Sequence, residues 1–213
     1  METLISILEV IGVVAFSISG ALEAIKAKND ILGVILLGTI TAVGGGIIRD
    51  LVLGINPPNT FVNPKFIYIS VFFSLASFFI IYYDRKLLGN PRTKIFDLMM
   101  TTTDAIGLAV FTVLGMNVAY SLSYSYRGVI YIFVGLITGV GGGILRDLML
   151  NRVPNVLDRN IYASASIVGA IVYFYLKKSA YFLGSINMLI AIGIIFTIRM
   201  VAATKNLQLP KIV

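Results

Sequence analysis

Two Arg-Asp pairs are the residues most able to do chemistry in this chain, and each closes the same phrase. The first is Gly44-Gly45-Gly46-Ile47-Ile48-Arg49-Asp50 and the second Gly141-Gly142-Gly143-Ile144-Leu145-Arg146-Asp147. Both sit inside long apolar stretches. A charged group at bilayer depth costs roughly 2.5–3.5 kcal/mol on the insertion scale, and a glycine in a helix interior about 0.8–1.0 kcal/mol relative to alanine. A guanidinium and a carboxylate so placed either lock helices together or line a path for a charged solute. Neighbours on a helix do not face each other, so each charge is expected to find a partner on another helix or in water.

The rest of the composition excludes most other chemistry. The 213 residues contain no cysteine and no histidine, hence no thiolate, imidazole ligand or imidazole base. With 58% hydrophobic and 13% charged residues, the chain reads as a polytopic membrane protein. The net charge of +7 does not indicate nucleic acid, because the basic residues fall in the short gaps between apolar runs. The triplets are not phosphate loops: neither matches Gly-x-Gly-x-x-Gly, and neither is followed by Gly-Lys-Ser/Thr.

A span needs about 20 mostly apolar residues. That rule gives seven, near 4–25, 31–54, 65–83, 95–117, 128–150, 161–177 and 182–203, in a single transmembrane domain over 1–213. Asn56-Pro57-Pro58-Asn59 and Gly89-Asn90-Pro91 break the chain between them. Basic residues divide unequally. Lys65, Arg127, Lys177 and Lys178 flank one side. Lys26, Lys28, Arg85, Lys86, Arg92, Lys94, Arg152, Arg159, Lys205 and Lys211 flank the other. The richer side faces the cytoplasm, which puts the N-terminus outside and the C-terminus inside.

The likeness of the two phrases extends outward. Gly38, Thr41, Val43, Leu51, Leu53 and Pro57 align with Gly135, Thr138, Val140, Leu148, Leu150 and Pro154. Upstream, Glu9, Gly12, Phe16, Ser17 and Gly20 align with Asp104, Gly107, Phe111, Thr112 and Gly115. Residues of about 4–86 therefore repeat as about 94–178, and a helix near 182–203 is left over. Three spans per repeat is an odd number, so the repeats must be inverted about a pseudo-two-fold axis in the membrane plane, an arrangement seen in transporters.

Within that frame the glycines can serve close packing of helices. Three in a row sweep about 200° of helix surface, more than one packing face, so a broken or kinked helix is expected in spans 2 and 5, with freed backbone groups facing a polar cavity. Glu9 and Asp104 lie on inward stripes and are the expected counter-charges of the arginines. Glu23 and Asp97, near span ends, are expected in solvent, and Arg199 to snorkel to the interface. Thr41 and Thr138 stand one turn before the triplets. Their hydroxyls either bond the carbonyl four residues back or line a pore.

Twin Gly-Gly-Gly-x-x-Arg-Asp phrases in an inverted 3 + 3 + 1 repeat resemble the trimeric intracellular cation (TRIC) channels, in their bacterial and archaeal branch, over about residues 4–203. The resemblance implies an all-α homotrimer with one ion path per protomer between helices bent at Gly44–Gly46 and Gly141–Gly143. It implies conduction of potassium or sodium ions in a cell membrane, with no enzymatic activity, no cofactor and no metal beyond the transient ion. Arg49, Asp50, Arg146 and Asp147 would stand at the pore or gate. The alternative is a secondary transporter of a small zwitterion such as an amino acid.

Overall fold

The computed structural model describes residues 1–83, 94–122, 128–158, 161–179, 184–205 and 207. Arg85, Lys86, Arg92, Arg127, Arg159, Lys211 and the Gly89-Asn90-Pro91 breaker lie outside the described residues. The described residues form helices and turns with no strand. Helices α1 (Glu2–Lys26), α2 (Ile31–Val52), α4 (Lys65–Tyr83), α5 (Lys94–Ser121), α6 (Gly128–Met149), α8 (Ala163–Ser179) and α9 (Gly184–Thr204) are long. Two single-turn helices, α3 (Asn59–Val62) and α7 (Asn155–Asp158), follow α2 and α6. Six of the long helices are long and apolar enough to cross a membrane. The remaining one, α8, has 17 residues, the lower bound for a span.

Local chemistry sets the boundaries of the central helices. The Asp30 carboxylate accepts the Gly33 amide at 2.8 Å, capping α2 at its start. Gly54 ends α2 and Asn151 ends α6, both left-handed, with φ of 73° and 53°. These are matched positions in the repeat, and glycine and asparagine are the residues that accept this helix-ending conformation most readily. In both places the next amide returns to the aspartate carbonyl of the phrase, Ile55 to Asp50 and Arg152 to Asp147.

The packing is that of an inverted repeat. Equivalent helices meet across the axis: α1 packs on α5 and α2 on α6. Their contacts are reciprocal. A Cβ on Gly12 would press on the Phe111 ring, and one on Gly107 would overlap the Phe16 ring. The two rings themselves lie 5.4 Å apart. Early residues of α1 thus meet late residues of α5, and the two helices run in opposite directions. Such self-complementary pairing of one patch with its own copy is the mark of a two-fold relation. The helix outside the repeat, α9, lies mainly against α5 and α8, so the second repeat is the one chiefly covered by an added helix.

Candidate functional site

The triplets mark the closest approach of α2 and α6. A Cβ on Gly45 would overlap the Thr138 carbonyl oxygen, and one on Gly142 would overlap the Thr41 carbonyl oxygen. One on Gly44 would meet the Leu145 side chain at 2.6 Å, and one on Gly141 the Gly45 Cα at 3.1 Å. The third glycines do something else. Beside Gly46 the nearest atom is an Arg49 guanidinium nitrogen at 3.9 Å, and beside Gly143 are the Tyr162 hydroxyl at 3.1 Å and an Arg146 nitrogen at 3.8 Å. Those two positions leave space next to the arginines.

Of the break or kink expected at the triplets, a break is not there. Both helices are continuous through their triplets, and none of the six glycines has positive φ. The reason lies in the crossing. Two backbones in contact need two glycines on each helix, and the third makes room for a guanidinium, so three consecutive glycines are accounted for without unwinding.

The threonines belong to the same junction. Thr41 and Thr138 are fully buried, and each donates its hydroxyl to the carbonyl four residues back, to Leu37 and Val134, at 2.6 Å. Gly20 and Gly115 pack against those hydroxyls from α1 and α5. The carbonyl and hydroxyl of each threonine are therefore enclosed by matched glycines from two different helices.

The Arg-Asp pairs stand not at the crossing but four residues beyond its central glycines, about 6 Å along each axis, toward opposite ends of the bundle. The expectation that neighbouring charges avoid each other fails, because an arginine is long enough to fold back. Arg49 Nε donates to Asp50 Oδ1 at 2.8 Å and its Nη2 lies 2.7 Å from the same oxygen. Arg146 Nε donates to Asp147 Oδ1 at 2.9 Å. The second oxygen of each aspartate accepts an amide at 2.8 Å, from Asn59 at the start of α3 and from Asn155 at the start of α7. Each aspartate, buried at the negative end of its helix dipole, is thus held by its neighbouring cation and by the first amide of the next helix.

Beyond this shared core the two ends differ. Arg146 is 1% exposed and reaches α5 and α1. Its Nη1 donates to Asp104 Oδ1 at 2.9 Å and to Ser19 Oγ at 3.0 Å. Among the described residues Arg49 pairs with Asp50 alone. Glu9, the match of Asp104, is close enough to feel the charges of Arg49 and Lys65, yet makes no ion pair among the described residues. Asp104 therefore meets its arginine as expected, and Glu9 does not.

Three further positions depart from or extend the expectations. Glu23 is buried, not solvated, and accepts from Arg152 at 2.9 Å. Arg199 does not snorkel: it is 3% exposed and lies 4.9 Å over the Tyr162 ring. Asp97 is half exposed and pairs with Lys26 at 2.6 Å. Ser19, Tyr162 and Arg199 join the Arg146 end without having drawn notice as site residues. Arg199 carried a trace of this role in the sequence as a charge within an apolar span, whereas serine and tyrosine are too common in such helices to stand out.

Arg-Asp pairs on either side of a glycine-tight crossing, in an inverted helical repeat of apolar helices, define the class: a polytopic membrane protein. Comparison with known proteins gives the family. A family model described as Glycine transporter matches residues 6–83 and 101–178, and the chain belongs to that family. It is 36% identical to the inner membrane protein YadS of Escherichia coli K12 over 207 residues, 95% of this chain and 93% of that one. It is 39% identical to the membrane protein YvgT of Bacillus subtilis over 166 residues, 78% and 77% of the two chains. Among solved structures it superposes on a prokaryotic TRIC channel crystallised in 0.5 M KCl with a TM-score of 0.85 at 32% identity, covering 98% of this chain and all of that one. The TRIC orthologue from Rhodobacter sphaeroides gives 0.84 at 30% identity, covering 96% and 100%. The resemblance to the TRIC channels read from the sequence thus holds for the fold and for the family.

Proposed function

We propose that this protein is a monovalent-cation channel, permeable to potassium or sodium, with one path per protomer between α2 and α6. The observation that carries this reading is the pair of Arg-Asp sites, each with a buried aspartate, one turn beyond the α2–α6 glycine crossing, each facing a different end of the bundle. Such an arrangement gives a path two charged constrictions and a tight waist. Contact of the two backbones at Gly45 and Gly142 supports a closed waist on this reading. Arg49 and Arg146 obstruct the two ends. The free carboxylate of Glu9, and Asp104 when released, supply a field favourable to cations. The fold is shared with channels described as TRIC cation channels, one at 36% identity and a TM-score of 0.82, which supports cations as the solute.

On this reading the chain is a single transmembrane domain and assembles as a homotrimer in the cell membrane among lipid. Its N-terminus is outside and its C-terminus in the cytoplasm, with α8 spanning beside α6. Catalysis has no part in it. The family model's description favours one competing reading, carriage of a small zwitterion such as glycine.

Reconstitution in a planar bilayer under a KCl gradient separates the two. Discrete openings that reverse near the potassium potential support the channel. A silent bilayer together with saturable glycine uptake into liposomes would sink it.

A further inference from the structure

Arg199 stands outside every pairing so far described. It belongs to α9, the one long helix with no counterpart in the repeat. It is 3% exposed, makes no ion pair among the described residues, and its Nε has no hydrogen-bond partner. Its guanidinium rests on the Tyr162 ring, which is a favourable contact for a cation but no replacement for a carboxylate. A buried charge lacking its opposite is among the arrangements a protein interior tolerates least.

A carboxylate is close by. Asp104, Arg146 and Arg199 line one cavity of about 10 Å³ together with Ser19, Glu23 and Thr101. The Tyr162 hydroxyl lies beside Asp104 and within the field of both arginines. Of the two Asp104 oxygens, Arg146 engages Oδ1. Glu23 is already paired with Arg152, and Asp147 is held by Arg146 and by the Asn155 amide. Asp104 is thus the carboxylate within reach that a second cation could take.

The first repeat displays what the released motif looks like. Among the described residues, the arginine there keeps only its adjacent aspartate, and the α1 carboxylate, Glu9, stands without an ion pair. Glu9 is half-buried, whereas Asp104 is 5% exposed. Water serves a freed Glu9 more readily than a freed Asp104.

We propose that Arg199 is the alternative counter-ion of Asp104. When Arg146 withdraws to its adjacent partner Asp147, Asp104 turns across the shared cavity to Arg199. The second-repeat end of the path can then open without stranding a buried charge. The proposal rests on the channel reading above, and makes α9 a positioning element for the gate on one side only.

The test compares single-channel records of the wild type, Arg199→Gln, Arg199→Lys, Asp104→Asn and the double variant D104N/R199Q. Arg199→Gln lowers open probability by at least about fivefold, the lower range of coupling between linked groups, with single-channel conductance unchanged. Arg199→Lys, which keeps the charge, stays within about twofold of the wild type, and in the Asp104→Asn background removal of Arg199 also changes open probability by less than about twofold. A conducting wild type whose open probability is untouched by Arg199→Gln overturns the relay. So does an equal loss in the Asp104→Asn background, which would make Arg199 a packing residue. Should Arg199→Gln fail to fold, D104N/R199Q removes both charges together and must conduct like Asp104→Asn; failure there also overturns the relay. A silent wild type removes the channel reading itself, and the relay with it.

Discussion

The two repeats carry the same phrase at matched positions, yet only one arginine is locked. Arg49 and Arg146 each fold back on the next aspartate, and each aspartate holds the following one-turn helix. There the likeness stops. Arg146 is clasped by Asp104 and Ser19 and is almost wholly buried, whereas Arg49 has a partly exposed side chain and, among the described residues, no ion-pair partner beyond Asp50. The difference does not lie in the phrase. It arises from what surrounds it: α9 packs mainly on the second repeat and places Arg199 at that end, over the Tyr162 ring. Symmetry of sequence gives two equivalent pairs, and one added helix makes them unequal.

Substitutions can break this comparison at its shared part or sharpen it where the repeats diverge. The largest effect belongs to the crossing. Gly142→Ala and Gly45→Ala place a methyl into a backbone carbonyl of the partner helix, and backbone can yield little. Each should destabilise the detergent-solubilised protein by ~3 kcal/mol or more, read as a fall in melting temperature. Gly46→Ala, with only the flexible end of Arg49 nearby, should stay within about 0.5 kcal/mol. Equal effects at Gly46 and Gly45 would show that helix bending, and not contact, is what the triplet provides.

Next come the α1 and α5 carboxylates. Asp104→Asn leaves Arg146 buried with one fewer anion and should cost about 3 kcal/mol. Glu9→Gln removes no ion pair and should cost no more than about 0.5 kcal/mol. Matching losses in thermal unfolding would erase the asymmetry described here.

The aspartates of the phrase should behave alike. Asp50→Asn and Asp147→Asn each weaken one arginine bond and one amide bond to a charged acceptor, for about 2 kcal/mol apiece. The same loss should appear as faster hydrogen exchange at the Asn59 and Asn155 amides. Protection lost in one repeat only would mean that the caps are not equivalent. The smallest effect is at the surface: Asp97→Asn removes a half-exposed pair with Lys26 and should change stability by no more than about 0.5 kcal/mol, still less in high salt.

Much of this architecture was legible in the residues. The matched glycines Gly12 and Gly107, Gly20 and Gly115, and Gly38 and Gly135 each mark a close approach that the structure repeats in both halves. The odd number of spans per repeat fixed their inversion. The site was legible as a set of residue types but not as a set of partners. Periodicity put Glu9 and Asp104 on equivalent stripes, and nothing in that pattern could tell which one an arginine would reach. The sweep of three glycines around one helix suggests a break or a kink; a break is not needed once the second backbone that presses on them is counted. Arg199 was read as a terminal charge because its depth in the bundle depends on helices far away in the sequence.

The amino-acid sequence by itself determined the spans, their pairing into inverted repeats and the identity of the charged phrase, since each follows from hydropathy, parity and spacing along one chain. Only the tertiary structure decided which charges meet, how closely α2 and α6 cross, and that Arg146 is buried more deeply than Arg49. Those outcomes turn on burial and on distances of a few ångströms between helices. Both are set by the packing of the whole bundle, with the unrepeated α9 as the element that tips it.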